Sequence, residues 1–123
     1  MKSAELSALS VAELLERFAA ICVEQNKTLF SGEYAKFNRL FKQMVAVGDE
    51  LKIRQGDQRR ALLTLFDHPD LQVRLQAAKA TLAVAPDDAR SMLQRIKKWR
   101  RQPQAGDAGM CLINLDRGIF VPK

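Results

Sequence analysis

The sequence is poor in the residues that most often carry chemistry. It has one histidine, His68, and two cysteines, Cys22 and Cys111, among 123 residues. A metal site or a catalytic triad would need partners for His68, and the adjacent Asp67 and Asp70 make a poor ligand set in a turn. There is no P-loop, no G-x-G-x-x-G and no nucleophile elbow. No catalytic residue, metal or cofactor is expected, and the chain reads as a non-enzyme. The cysteines form no C-x-x-C and have no histidine beside them, so they read as reduced, buried, small hydrophobes. Long apolar runs are lacking too. The longest is Phe18–Val23, far below the roughly 20 residues that span a bilayer. Residues 1–9 carry one lysine and no apolar core, unlike a signal peptide. The expected location is the cytoplasm, without membrane contact. No period-2 stretch is long enough for a sheet.

Hydrophobic residues make up 47% of the chain. A chain of this length suits one domain and buries roughly two-thirds of its unfolded surface, enough for a core without disulfides or metals. The expected domain is residues 1–123, with 1–9 mobile and 119–123 an extended tail that lies back over exposed core. The net charge is +6, and its distribution is uneven. Residues 1–88 hold twelve basic and twelve acidic side chains, whereas residues 89–123 hold eight basic and two acidic. Six of those eight are Arg90, Arg95, Lys97, Lys98, Arg100 and Arg101. Such a cluster can attract phosphate or an acidic partner, or can simply be a solvated face.

The apolar spacing predicts helices joined by short turns. Ser10 and Glu13 fit a capping box before a stripe of Val11, Leu14, Leu15, Phe18 and Cys22. A second helix opens at Ser31-Gly32, with Tyr34, Phe37, Leu40, Phe41, Met44, Val45 and Leu51 inward and a kink at Gly48. Asp57 caps a short third helix, which Asp67-His68-Pro69-Asp70 ends. Asp70 caps a fourth helix, made thin and central by its alanines. Pro86 ends the fourth helix and Asp87 caps a fifth, with Ala89, Met92, Leu93, Ile96 and Trp99 on one side. A sixth runs from about Gly106 to Arg117, with Asp107 as its cap. Either Met110, Ile113 and Leu115 or Cys111 and Leu112 face inward, and Gly118 closes it.

The six helices pair into three hairpins of about 40 residues, the period of HEAT and armadillo repeats. Leu62-Leu63-x-Leu65-x-Asp67-x-Pro69-x-x-x-Val73-Arg74-x-x-Ala77-Ala78-x-x-x-Leu82 resembles a HEAT repeat. The resemblance implies an all-α fold, an α-α superhelix in which Asp67 and Arg74 brace the turn. It also implies that second helices line a concave face, which makes Gln72, Gln76 and Lys79 the candidate partner face. Over nearly its whole length the chain resembles a small bacterial family catalogued as a domain of unknown function. The stretches that carry this are residues 37–41, 57–82 and 102–110. That likeness implies the fold and no activity.

Two further features stand out. Gly106-Asp107-Ala108-Gly109 is a G-x-x-G sequence, readable as a ligand loop or as a tight turn before a helix. Trp99 lies among Lys97, Lys98, Arg100 and Arg101, which suits base stacking, but it also continues the apolar stripe from Ile96. The leading expectation is a protein-binding module, a monomer or weak homodimer. The alternative is nucleic-acid binding through residues 90–101. HEAT-like DNA glycosylases hold DNA on such stacks, although they resemble this chain in repeat type only.

Overall fold

The computed structural model describes residues 3–123. Every regular element among them is helical: α1 (Ser3–Ser7), α2 (Val11–Leu29), α3 (Tyr34–Ile53), a 3-10 segment (Gln58–Asp67), α4 (Leu71–Ala80), α5 (Pro86–Trp99) and α6 (Gln104–Asp116). No strand occurs among the described residues. The chain divides into two compact units, Met1–Ala61 and Leu62–Lys123, and the division falls within the 3-10 segment.

In the first unit α2 packs on α3, and α1 also touches α3. The predicted capping box is present. Glu13 N–H donates to the Ser10 hydroxyl at 3.1 Å, and Ser10 N–H donates to the Glu13 carboxylate at 3.0 Å. Residues 1–9 were expected to be mobile; residues 1 and 2 lie outside the described residues, and 3–7 form α1. Leu6 of α1 is buried. Arg54 holds this helix in place: its Nε donates to the buried Glu50 carboxylate at 2.7 Å, and a terminal nitrogen donates to the Leu6 carbonyl at 3.1 Å.

Helix α3 continues through Gly48 as one helix, without a break. Its buried line is Leu40, Met44, Val47 and Leu51, while Tyr34, Phe41 and Val45 are exposed. The spacing i, i+4, i+7, i+11 is one face of a helix. Leu40, Met44 and Leu51 belong to the predicted stripe, whereas Tyr34, Phe41 and Val45 fall on the neighbouring strip and Val47 replaces them in the core. The third helix is 3-10 rather than α-helical. Asp57, before it, has a positive φ of 49°. Its carboxylate accepts from Arg59 Nε at 2.9 Å and from a terminal Arg59 nitrogen at 2.7 Å.

In the second unit a core of Leu75, Ala78, Leu82, Ala89, Met92, Leu93, Ile96, Ala108, Cys111 and Leu112 joins α4, α5 and α6. Of the two inward faces considered for α6, the structure selects Cys111 and Leu112. Asp70 caps α4 as predicted, accepting from the amides of Gln72 at 2.9 Å and Val73 at 3.3 Å. Pro86 is the first residue of α5 and Asp87 sits in its first turn, so Asp87 favours the helix dipole and does not cap. At the end of α6, Gly118 takes a φ of 69°. Its N–H donates to Leu115 O, and Ile119 N–H donates to Asn114 O, the Schellman pattern. The segment after it does not cover core: Ile119 is 69% and Val121 65% exposed.

Hydrogen bonds from the Ser10 amide and hydroxyl hold the Glu13 carboxyl below its ordinary value. A carboxylate lowered on folding adds stability above its unfolded pKa, and that stability is lost as the pH falls through the folded value. Ser10→Ala should therefore move Glu13 up towards the ordinary carboxylate value in an NMR titration. It should also reduce the loss of α2 helicity caused by acid.

Candidate functional site

The candidate residues of the second unit fall into three environments. The first is buried. Gln72 and Gln76 are only 3% and 5% exposed, so they are not an accessible partner face. Their burial has a local cause. Val73, Leu75, Ala77 and Ala78 are buried around them on α4, so the helix has almost no solvent side. Gln104 at the start of α6 donates to Gln72 Oε1 at 3.0 Å. A buried amide that finds a partner satisfies its polar atoms without water. Lys79 remains half-exposed and pairs with Asp107 at 3.0 Å.

That ion pair also removes the candidate loop. Gly106, Asp107 and Gly109 all lie within α6, which starts at Gln104 and not at Gly106. Asp107 does not cap it. The Gln102 side chain does, accepting from Gly106 N–H at 2.9 Å. A Cβ on Gly109 would lie 3.7 Å from the Lys97 chain, so α6 offers the flexible stem of Lys97 a smooth surface to lie on. Burial pushes the Cys111 thiol above its ordinary value; Lys79 and Arg90 act against this and Asp107 with it. Such a thiol stays protonated and is a weak nucleophile at neutral pH.

The second environment is an open groove of about 540 Å³ along α5 and α6. Arg90, Lys97, Lys98 and Arg100 line it together with Gln94, Leu112, Ile113 and Asp116. Four of the six predicted cations are thus brought together, while Arg95 and Arg101 are exposed but do not line it. The amphipathic split of α5 explains the arrangement. Ala89, Met92, Leu93 and Ile96 turn inward, which sends the basic positions to solvent. Arg90 pairs with Asp116 at 2.8 Å, the one carboxylate that lines the groove. Lys97 and Lys98 stand in the last turn of α5, where cations complement the helix dipole. Arg100 follows in the left-handed region, with φ at 57°.

The third environment surrounds Trp99. It is neither a core anchor nor a free stacking platform. It is 43% exposed, and the Arg74 guanidinium carbon sits 5.5 Å from its ring centroid. The HEAT resemblance implied that Asp67 and Arg74 brace this turn. Arg74 does so, its Nε donating to the His68 carbonyl, whereas Asp67 is exposed. His68 Nδ1 in turn accepts from Asp70 N–H at 3.0 Å. The meeting of Arg74 with Trp99 depends on the packing of α4 on α5 and has no local signal in the sequence. Among the described residues no three His, Cys, Asp or Glu side chains gather into a metal site. No helix among them is long and apolar enough to cross a membrane.

The family described as Domain of unknown function (DUF2019) matches residues 12–116, and the chain belongs to that family. Among solved structures, the crystal structure of the protein RPA1889 from Rhodopseudomonas palustris CGA009 is similar. It is 53% identical, with a TM-score of 0.94, over 96% of this chain and 98% of that one. No curated protein matches the chain.

Two stability measurements check this geometry. In a double-mutant cycle by urea denaturation, Gln72→Ala and Gln104→Ala should couple by about 0.5–3 kcal/mol, as contacting residues do. Additive effects would show that the buried amide contact is absent. Gly109→Ala should raise stability by up to about 1 kcal/mol, because alanine is the better helix former and space exists for its methyl. A loop at residues 106–109 would give no such gain.

Proposed function

We propose that the chain is a non-catalytic, HEAT-like helical binding module that takes an acidic protein partner in the basic groove of α5 and α6. The supporting observation is the composition of that groove. Arg90, Lys97, Lys98 and Arg100 line it together with Leu112 and the exposed Ile113, and Asp116 is the only acid among the lining residues. Cations and an apolar side chain in one groove suit a peptide that carries both a carboxylate and a hydrophobic side chain. The HEAT-like reading rests on the hairpin packing of α2 on α3 and α5 on α6 and on the motif of residues 62–82. The two cysteines are free and buried, which supports a reducing, cytoplasmic setting.

A nucleic-acid ligand is the second reading. Arg95, Lys97, Lys98, Arg100 and Arg101 are all exposed, and Trp99 is partly so. A phosphate backbone would use these cations but gain nothing from Ile113, which favours the protein partner.

Fluorescence anisotropy separates the two. A labelled helical peptide rich in Glu and Leu should bind at low salt, and Lys97→Glu with Lys98→Glu should weaken it by at least about tenfold, two charge contacts' worth. A labelled DNA duplex should bind more weakly than the peptide. Tighter duplex binding, with log K falling against log salt at a slope of about −5, would replace the protein reading with the nucleic-acid one.

A further inference from the structure

A second basic site lies apart from that groove and shares none of its lining residues. Pro69, Leu71, Arg74, Trp99 and Arg101 line a cleft of about 390 Å³. Its centre is a guanidinium fixed on two sides. Arg74 Nε–H donates to the His68 carbonyl, and the guanidinium lies over the Trp99 ring. Neither contact takes a hydrogen bond from the terminal nitrogens of Arg74. Arg101 adds a second, exposed guanidinium to the same cleft. No carboxylate lines it. The nearest acid in sequence, Asp70, is engaged with the amides of Gln72 and Val73. An arginine already oriented by the protein loses less conformational freedom when it binds, and its planar fork matches the oxygens of a phosphate. Two such cations balance a dianion better than a singly charged diester. Pro69, Leu71 and the exposed part of the Trp99 ring supply an apolar wall beside them.

We propose that this cleft binds a phosphate monoester carried on an apolar or aromatic group. The phosphate is held by Arg74 and Arg101, and the carrier rests on Trp99, Pro69 and Leu71. The site does not depend on the groove of α5 and α6 and stands even if that groove proves unoccupied.

Trp99 is the only tryptophan in the chain, so its emission reports on the cleft alone. The full-length chain is titrated with phenyl phosphate, inorganic phosphate and a short DNA duplex. Phenyl phosphate should change the emission saturably, with a Kd at or below about 1 mM, and inorganic phosphate should bind more weakly. Arg101→Gln, at an exposed position, should weaken phenyl phosphate by at least about tenfold. Arg74→Lys keeps the charge but loses the fork, and should weaken it as well. A phosphotyrosyl peptide that binds more tightly than phenyl phosphate places the carrier on a protein; equal affinity places it on a small molecule. Either result supports the monoester. The proposal is overturned by the absence of a saturable change, by wild-type affinity in Arg101→Gln, by equal affinity for inorganic phosphate, or by tighter binding of the duplex.

Discussion

The second unit depends on one constraint, that α4 has almost no side open to water. Six of its ten residues are buried, two of them glutamines. A buried amide left without a partner costs on the order of 1–3 kcal/mol, so whatever packs on α4 must answer Gln72 and Gln76. Among the described residues no buried side-chain nitrogen or oxygen lacks a partner. Gln104, the first residue of α6, supplies one of the answers. The alanines supply the rest of the fit. Ala77 and Ala78 have no bulk to hold neighbours off, and both α5 and α6 make contact with α4. Close packing of this kind tolerates little change in volume or polarity.

The orientation of α5 follows from that packing. Its apolar line must face the core, and its charges are left to the opposite side. Part of the charge pattern serves the helix itself, with Asp87 and Asp88 in the first turn and Lys97 and Lys98 in the last. Such placements favour the dipole by about 0.3–1 kcal/mol each. Arg100 and Arg101 lie beyond the last turn, and Arg95 lies in the middle of the helix. Helix stability gives no reason for these three. The charge excess of the last third of the chain is thus only partly a folding device, and the remainder is surface available to a ligand.

How much of this was legible follows from how local each feature is. Ser10 with Glu13, Asp70 with the start of α4, and Gly118 at the end of α6 depend on residues a few positions apart, and all were readable. The inward line of α5 was readable too, because Ala89, Met92, Leu93 and Ile96 offer one face only. Gln72 and Gln76 were misread as surface, since polarity usually means exposure and the amide that answers Gln72 lies 32 residues further on. The start of α6 was misread because its cap is a glutamine side chain four residues before the amide it accepts from. In α3 Leu40, Met44 and Leu51 were readable, whereas Tyr34, Phe41 and Val45 were misread as inward and Val47 was missed. The helix α1 carries a single buried leucine, Leu6, too little for any periodicity, and its anchor Arg54 lies 48 residues away.

The brace at Arg74 carries the widest consequence. A carboxylate acceptor there would offset the charge of the arginine. Here the acceptor is the His68 carbonyl, a neutral dipole. It orients the guanidinium and leaves its charge in place. Trp99 does the same through its ring face, which attracts a cation without neutralising it. The local acids are otherwise engaged or turned outward: Asp70 caps α4, and Asp67 is exposed to water, where screening reduces its influence. The bracing contacts thus hold a positive charge in fixed geometry at the edge of a cleft. That the chain holds Arg74 without discharging it is what separates this corner from an ordinary helix junction.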